Sequence, residues 1–131
     1  MTGPTPKQRA RAGAWLEKWR MALLLNEWFF NIVYKKQDQP ETQEGNLLAE
    51  IDASPVYLRA TIKIYPQFWQ RDIQTQEHAL IHELCHCITQ PARDIASHLQ
   101  NGDAVHHGTV TDAFETLTQR IANIAFRDSW K

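Results

Sequence analysis

The sequence predicts an α+β fold in a single domain, residues 1–131. Three observations carry this. Apolar residues recur with helical period at both ends of the chain, three short central stretches alternate with period two, and no linker, repeat or low-complexity tract separates them. An apolar content of 43% is enough for a modest core at this length. The net charge of −1 gives no electrostatic case for a nucleic-acid or membrane partner. No apolar run is long enough to span a bilayer, and residues 1–7 lack the apolar core of a signal peptide. Cys85 and Cys87 lie two apart on an expected helix and point to different sides, so they read as small reduced residues. A cytoplasmic protein is expected, its first five residues flexible.

Taken in order, Thr5-Pro6-Lys7-Gln8 is a helix start, with Thr5 as N-cap and Gln8 closing a capping box. Ala12, Trp15, Leu16, Trp19, Ala22 and Leu23 continue it, so a helix is expected over about 6–25. Trp28, Phe30, Ile32 and Tyr34 alternate with Phe29, Asn31, Val33 and Lys35 in a first strand. The polar stretch 37–45 reads as a loop. Leu47, Ala49 and Ile51 mark a second strand, and Asp52-Ala-Ser-Pro55 a turn. Leu58, Ala60, Ile62 and Ile64 form the inward row of a third. Short connections predict an antiparallel meander of these three strands.

A helix capped by Asp72 should follow and stop before Pro91, then a short helix ending at Asn101-Gly102 and a loop over 102–108. Thr109-Val-Thr-Asp112 reads as a second capping box. Val110, Ala113, Phe114, Leu117, Ile121 and Ile124 mark a last helix, about 110–127. Phe114, Leu117 and Ile121 are expected to pack on Ile81, Leu84 and Ile88.

The helix after Asp72 carries His82-Glu83-Leu-Cys-His86, an H-E-x-x-H motif. Residues four apart share a helix face, so His82 and His86 can grip one zinc ion. Glu83 lies about 100° round the helix, beside the metal, where it can take a proton from zinc-bound water. Scattered polar residues on an exposed helix would be the plainer reading. Ile81, Leu84, Cys85 and Ile88 argue against it, because they give the segment a core-packing stripe along which the histidines run.

Zinc with two histidines takes a third protein ligand and leaves a position open. A histidine six residues after His86 would complete the longer H-E-x-x-H-x-x-G-x-x-H pattern, but Ala92 stands there. His107, in His106-His107-Gly108, remains open, as SprT-like proteases take their third histidine from an HG pair at comparable distance. Asp112 fits better as a capping carboxylate. Glu115 is preferred: it flanks the apolar stripe of the last helix, in line with Thr111, Thr118 and Ala122, whose small side chains leave room beside it.

With these pieces placed, the chain resembles the minigluzincins, a small zincin-like peptidase group, and similar short metallopeptidase-like proteins of phages and prophages. The resemblance runs from about Leu24 to Ala125, through the strand 57–64, the segment 80–86 and the helix 114–122. Cys85 and Cys87 stand where aliphatic residues would be expected. The resemblance implies a minimal zincin-like fold, with His82, His86 and Glu115 as zinc ligands and Glu83 as general base. It also implies an edge strand, expected at 57–65, that pairs with an extended peptide substrate.

The expected function is zinc-dependent peptide hydrolysis, Glu83 assisting attack by a zinc-bound water. Tyr65, His78, His98 and His106 are open as donors to the oxyanion. The alternatives are a non-catalytic, zinc-stabilised binding protein and an SprT-like protease with His107 as third ligand. A structural zinc site is normally closed by four protein ligands, so a retained non-ligand Glu83 favours the enzyme.

Overall fold

The computed structural model describes residues 3–37, 47–100 and 107–129, with the side chains of 94, 95, 97–100, 107–110, 113, 128 and 129 left aside. It is an α+β structure of three helices and a three-stranded mixed sheet. Helix α1 spans Pro6–Ala22 and begins as expected: Gln8 donates its backbone N–H to the Thr5 hydroxyl at 3.1 Å, and Thr5 donates its own to the Gln8 side chain at 2.8 Å.

The helix stops at Ala22 rather than running to residue 25, because the chain turns left-handed at Leu24, φ 59°. The Leu25 N–H reaches back to the Arg20 carbonyl at 2.8 Å, and the Leu24 N–H to that of Met21 at 3.2 Å. This pair of bonds is the Schellman closure, here with leucine where glycine is usual. Leu24 is 85% exposed, so only its backbone has a part in the turn.

Strands β1 (Phe29–Tyr34), β2 (Ala49–Ser54) and β3 (Arg59–Ile64) follow. Their order is β1-β3-β2, with β2 antiparallel and β1 parallel to β3. The antiparallel meander is therefore corrected. β2 and β3 do form a hairpin across residues 55–58, closed by left-handed Leu58, φ 52°. The longer connection from β1 to β2 imposes no neighbour. It leaves β1 free to join the far side of β3, where Phe30, Ile32 and Tyr34 fall in register with Ala60, Ile62 and Ile64.

β3 is consequently the central strand, not the edge expected at 57–65; the edges are β1 and β2. The inner face is as the alternation predicted: Ala60, Ile62 and Ile64 are buried, while Arg59 is exposed and Thr61 and Lys63 are half-buried on the other side. Lys63 there pairs with Asp52 at 2.9 Å.

A 3-10 turn, Pro66–Gln70, buries Phe68 and leads into helix α2, Ile73–Gln100. Asp72 caps it, accepting from the Thr75 N–H and hydroxyl. α2 does not stop before Pro91, and no separate short helix follows; the helix is continuous to Gln100. An interior proline forfeits one backbone bond and crowds the preceding turn. Here Pro91 lies on the exposed side, and α2 packs along α3, His107–Ser129, on both sides of it.

Because α3 begins at His107, Thr109 and Asp112 lie inside it, and the expected capping box is not its start. Of the expected loops, residues 38–45 and 102–106 lie outside the described residues, while 107 and 108 belong to α3.

The core joins Ala12, Leu16 and Trp19 of α1, the inner sheet face, Phe68, and Leu80, Ile81, Leu84, Cys85 and Cys87 of α2. From α3 it takes Ala122, with Thr118 also fully buried. Leu117 and Ile88, expected in the packed face, are instead 45% and 42% exposed. Small residues allow two helices to approach closely, so α3 turns Thr118 and Ala122 towards α2. The Thr118 hydroxyl then meets that of Thr89 at 2.9 Å. Among the described residues no helix is long and apolar enough to cross a membrane.

Candidate metal centre

α2 presents His78, His82, His86 and Arg93 along one face, since steps of four, four and seven residues return to nearly the same direction. Edge strand β2 stands on one side of this floor and α3 on the other, bounding an open cleft of about 790 Å³. Its walls include Leu47–Ile51 from the sheet side and Thr111, Asp112, Glu115 and Gln119 from α3. The imidazoles of His82 and His86 meet edge to face, centroids 5.0 Å apart.

Glu115 reaches across from α3. Its carboxylate oxygens lie 3.1 Å from Nε2 of His86 and 3.5 Å from Nε2 of His82. The rotation of α3 that buries Thr118 and Ala122 causes this, because Glu115 is one turn before Thr118 on the same face. Two histidines and a glutamate from separate helices thus converge. His107 opens α3, but its side chain lies outside the described residues, as do His106 and the side chain of His98.

Glu83 is different. It is 7% exposed, and its Oε2 is buried without a hydrogen-bond partner. Burial pushes its pKa well up, and the carboxylates of Glu115 and then Glu50 push it further. Burial lowers the pKa of His86 despite the opposing pull of Glu115; His82 and the Arg93 guanidinium add to the lowering. Neutral imidazoles with free lone pairs are what a metal requires.

His82, Glu83 and His86 bring ligand atoms within 4.8 Å of one another, so this group could hold a metal ion. The donor chemistry fits a divalent metal of imidazole and carboxylate preference. The unpartnered Oε2 of Glu83 and the unpartnered, buried Nδ1 of His82 are polar atoms that the fold alone leaves unsatisfied. The Cys85 and Cys87 thiols are buried, free and pushed up to about 12, and so are not thiolate ligands at neutral pH.

Of the oxyanion candidates, the Tyr65 hydroxyl donates to Glu50 at 2.7 Å, and His78 lines the cleft with its Nε2 2.7 Å from Asn123 Oδ1. Burial, then the bond to Glu50, pushes the Tyr65 pKa up to about 12. Sequence reasoning missed Glu50, Gln119 and Arg93 as cleft residues. Arg93 was within reach of periodicity, seven residues after His86; Glu50 and Gln119 carry no local signal. Among known proteins, no family model, no curated protein and no solved structure matches this chain.

Proposed function

We propose that this chain is a zinc-dependent peptidase of minimal zincin-like architecture. The observation that carries the reading is how two carboxylates stand against the histidine pair: Glu115 lies against Nε2 of both His82 and His86, while Glu83, beside them, is buried with one oxygen that has no hydrogen-bond partner. His82, His86 and Glu115 would hold the metal through two Nε2 atoms and a carboxylate. What the metal supplies, once bound, is Lewis acidity, which polarises a carbonyl and acidifies water.

The chain's own residues do the rest. Glu83 takes a proton from the attacking water and passes it to the leaving amine nitrogen, which needs a carboxyl group whose pKa lies nearer neutrality than usual. Its burial and acidic neighbours push it in that direction. Among the described residues no strand pairs with the outer edge of β2, which offers backbone N–H and C=O groups along the cleft where an extended peptide can add as a fourth strand. That role moves from residues 57–65 to 47–54.

Metal analysis and peptide-library digestion test this together. The wild type should carry one zinc per chain, and the His82→Ala/His86→Ala double variant none, because water replaces two imidazoles only at a large loss of affinity. Glu83→Gln should keep the zinc and lose hydrolysis. Loss of zinc from Glu83→Gln would make Glu83 a ligand and favour a structural site. Competitive titration decides the third ligand: Glu115→Gln should weaken zinc by about tenfold or more, whereas the SprT-like alternative needs that loss from His107→Ala.

A further inference from the structure

We propose that Arg93 selects peptides carrying a carboxylate within two or three residues of the bond held at His82 and His86. The inference rests on the peptidase reading above and adds a substrate class to it.

Arg93 follows His86 by two helical turns, so its Cα lies about 10 Å further along the same face, a span that an extended peptide covers in about three residues. The guanidinium lines the cleft there and touches the opposite wall, where Nη2 donates to the Thr111 hydroxyl at 3.4 Å. That long bond uses one of five donors. Among the described residues, no ion pair includes Arg93, although Asp112 lines the same end of the cleft.

Charge sharpens the point. The described lining has four acidic residues, Glu50, Glu83, Asp112 and Glu115, and Arg93 is its one lysine or arginine. The first three of those acids have other relations or lie open at the rim: Glu50 bonds Tyr65, Glu83 is buried and Asp112 is exposed. Glu115 is turned to the histidines. A planar guanidinium that makes one long hydrogen bond among the described residues, half-buried beside a peptide groove, matches a carboxylate in two-bond geometry better than it matches any uncharged group. The carboxylate can be a peptide C-terminus or an aspartate or glutamate side chain.

Phosphinic peptides, which chelate zinc and extend to both sides of the mimicked bond, provide the test. Four are compared by calorimetry on the zinc-loaded protein: an uncharged amide control, one with a free C-terminus, and two with glutamate on the N-terminal or C-terminal side. At least one carboxylate form should bind about tenfold or more tightly than the control, the scale of one charge-assisted bond. That gain should vanish in Arg93→Gln, while the control's affinity and the zinc content stay unchanged. Which form gains identifies the source of the carboxylate. Equal binding of all four to the wild type, which needs no variant to fold, overturns the role of Arg93 alone. Failure of all four to bind overturns the peptidase reading and this inference with it.

Discussion

Two glutamates on one helix are buried for opposite purposes. Glu77 and Glu83 lie six residues apart on α2, 2% and 7% exposed. Glu77 is satisfied: Trp19 of α1 donates its indole N–H at 2.7 Å, and Lys18 stands 3.4 Å away. Glu83 has an oxygen with no partner and two further carboxylates nearby. The first ties α1 to α2. The second holds an unfavourable charge beside a cleft; under the proposed function, a metal and a substrate would supply what the fold does not. A buried carboxylate is thus a strut or a reactive group according to its partners, and burial alone does not tell which.

The largest effect should come from breaking the strut. Glu77→Ala leaves a buried indole N–H unpaired and removes a charge-assisted bond, so urea unfolding should show a loss of about 3 kcal/mol. Glu77→Gln keeps an acceptor for Trp19 and should lose less. If Glu77→Ala were neutral, the strut would be an accident of packing.

Glu83→Gln should act with the opposite sign in the metal-free protein. The folded-state pKa of Glu83 stands above its ordinary 4.5, so the folded chain binds more protons than the unfolded one. Stability from this group is therefore complete below about pH 4.5 and declines as pH rises towards the folded value. The Gln variant should lack that decline and unfold at higher urea than the wild type at pH 7. A lower midpoint would mean that Glu83 has a partner holding it charged.

A smaller gain is expected at Leu24, where the left-handed turn strains a residue that buries nothing. Leu24→Gly should stabilise by about 1 kcal/mol, read as a rise in melting temperature with metal content unchanged. Smallest is Asp72→Ala at the start of α2. The Thr75 bonds lower the Asp72 pKa, so its contribution exists above the ordinary 3.8 and fades as pH falls through the folded value. Wild type and variant should differ slightly at pH 7 and converge as the pH falls below the folded value.

Local rules made much of this molecule legible in advance. The capping box at Thr5, the inward rows of all three strands, the Asp72 cap and the histidine pair of α2 each depend on residues within a turn or a strand pair of one another. Glu115 was legible for a related reason, since small neighbours on its face mark where another helix can come close. The misreadings share a different feature. A proline rule ended α2 too soon, because packing along α3 outweighs one lost backbone bond. Apolar periodicity alone aimed α3 only partly right: Ile121 packs on the core, but Leu117 and Ile124 are exposed where Thr118 and Ala122, which pack closer, are buried.

By itself, then, the sequence determined the α+β class, the element types and the His82-Glu83-His86 group that could hold a metal ion, since these follow from spacing along a single helix or strand. Tertiary structure alone decided that β1 runs parallel to β3, that β2 rather than β3 borders the cleft, and that Glu77 meets Trp19. It also decided that Arg93 shares a groove with the histidines and Glu115. Each of these joins groups from separate elements, and what brings them together is the burial of the shared apolar faces, which no local pattern records.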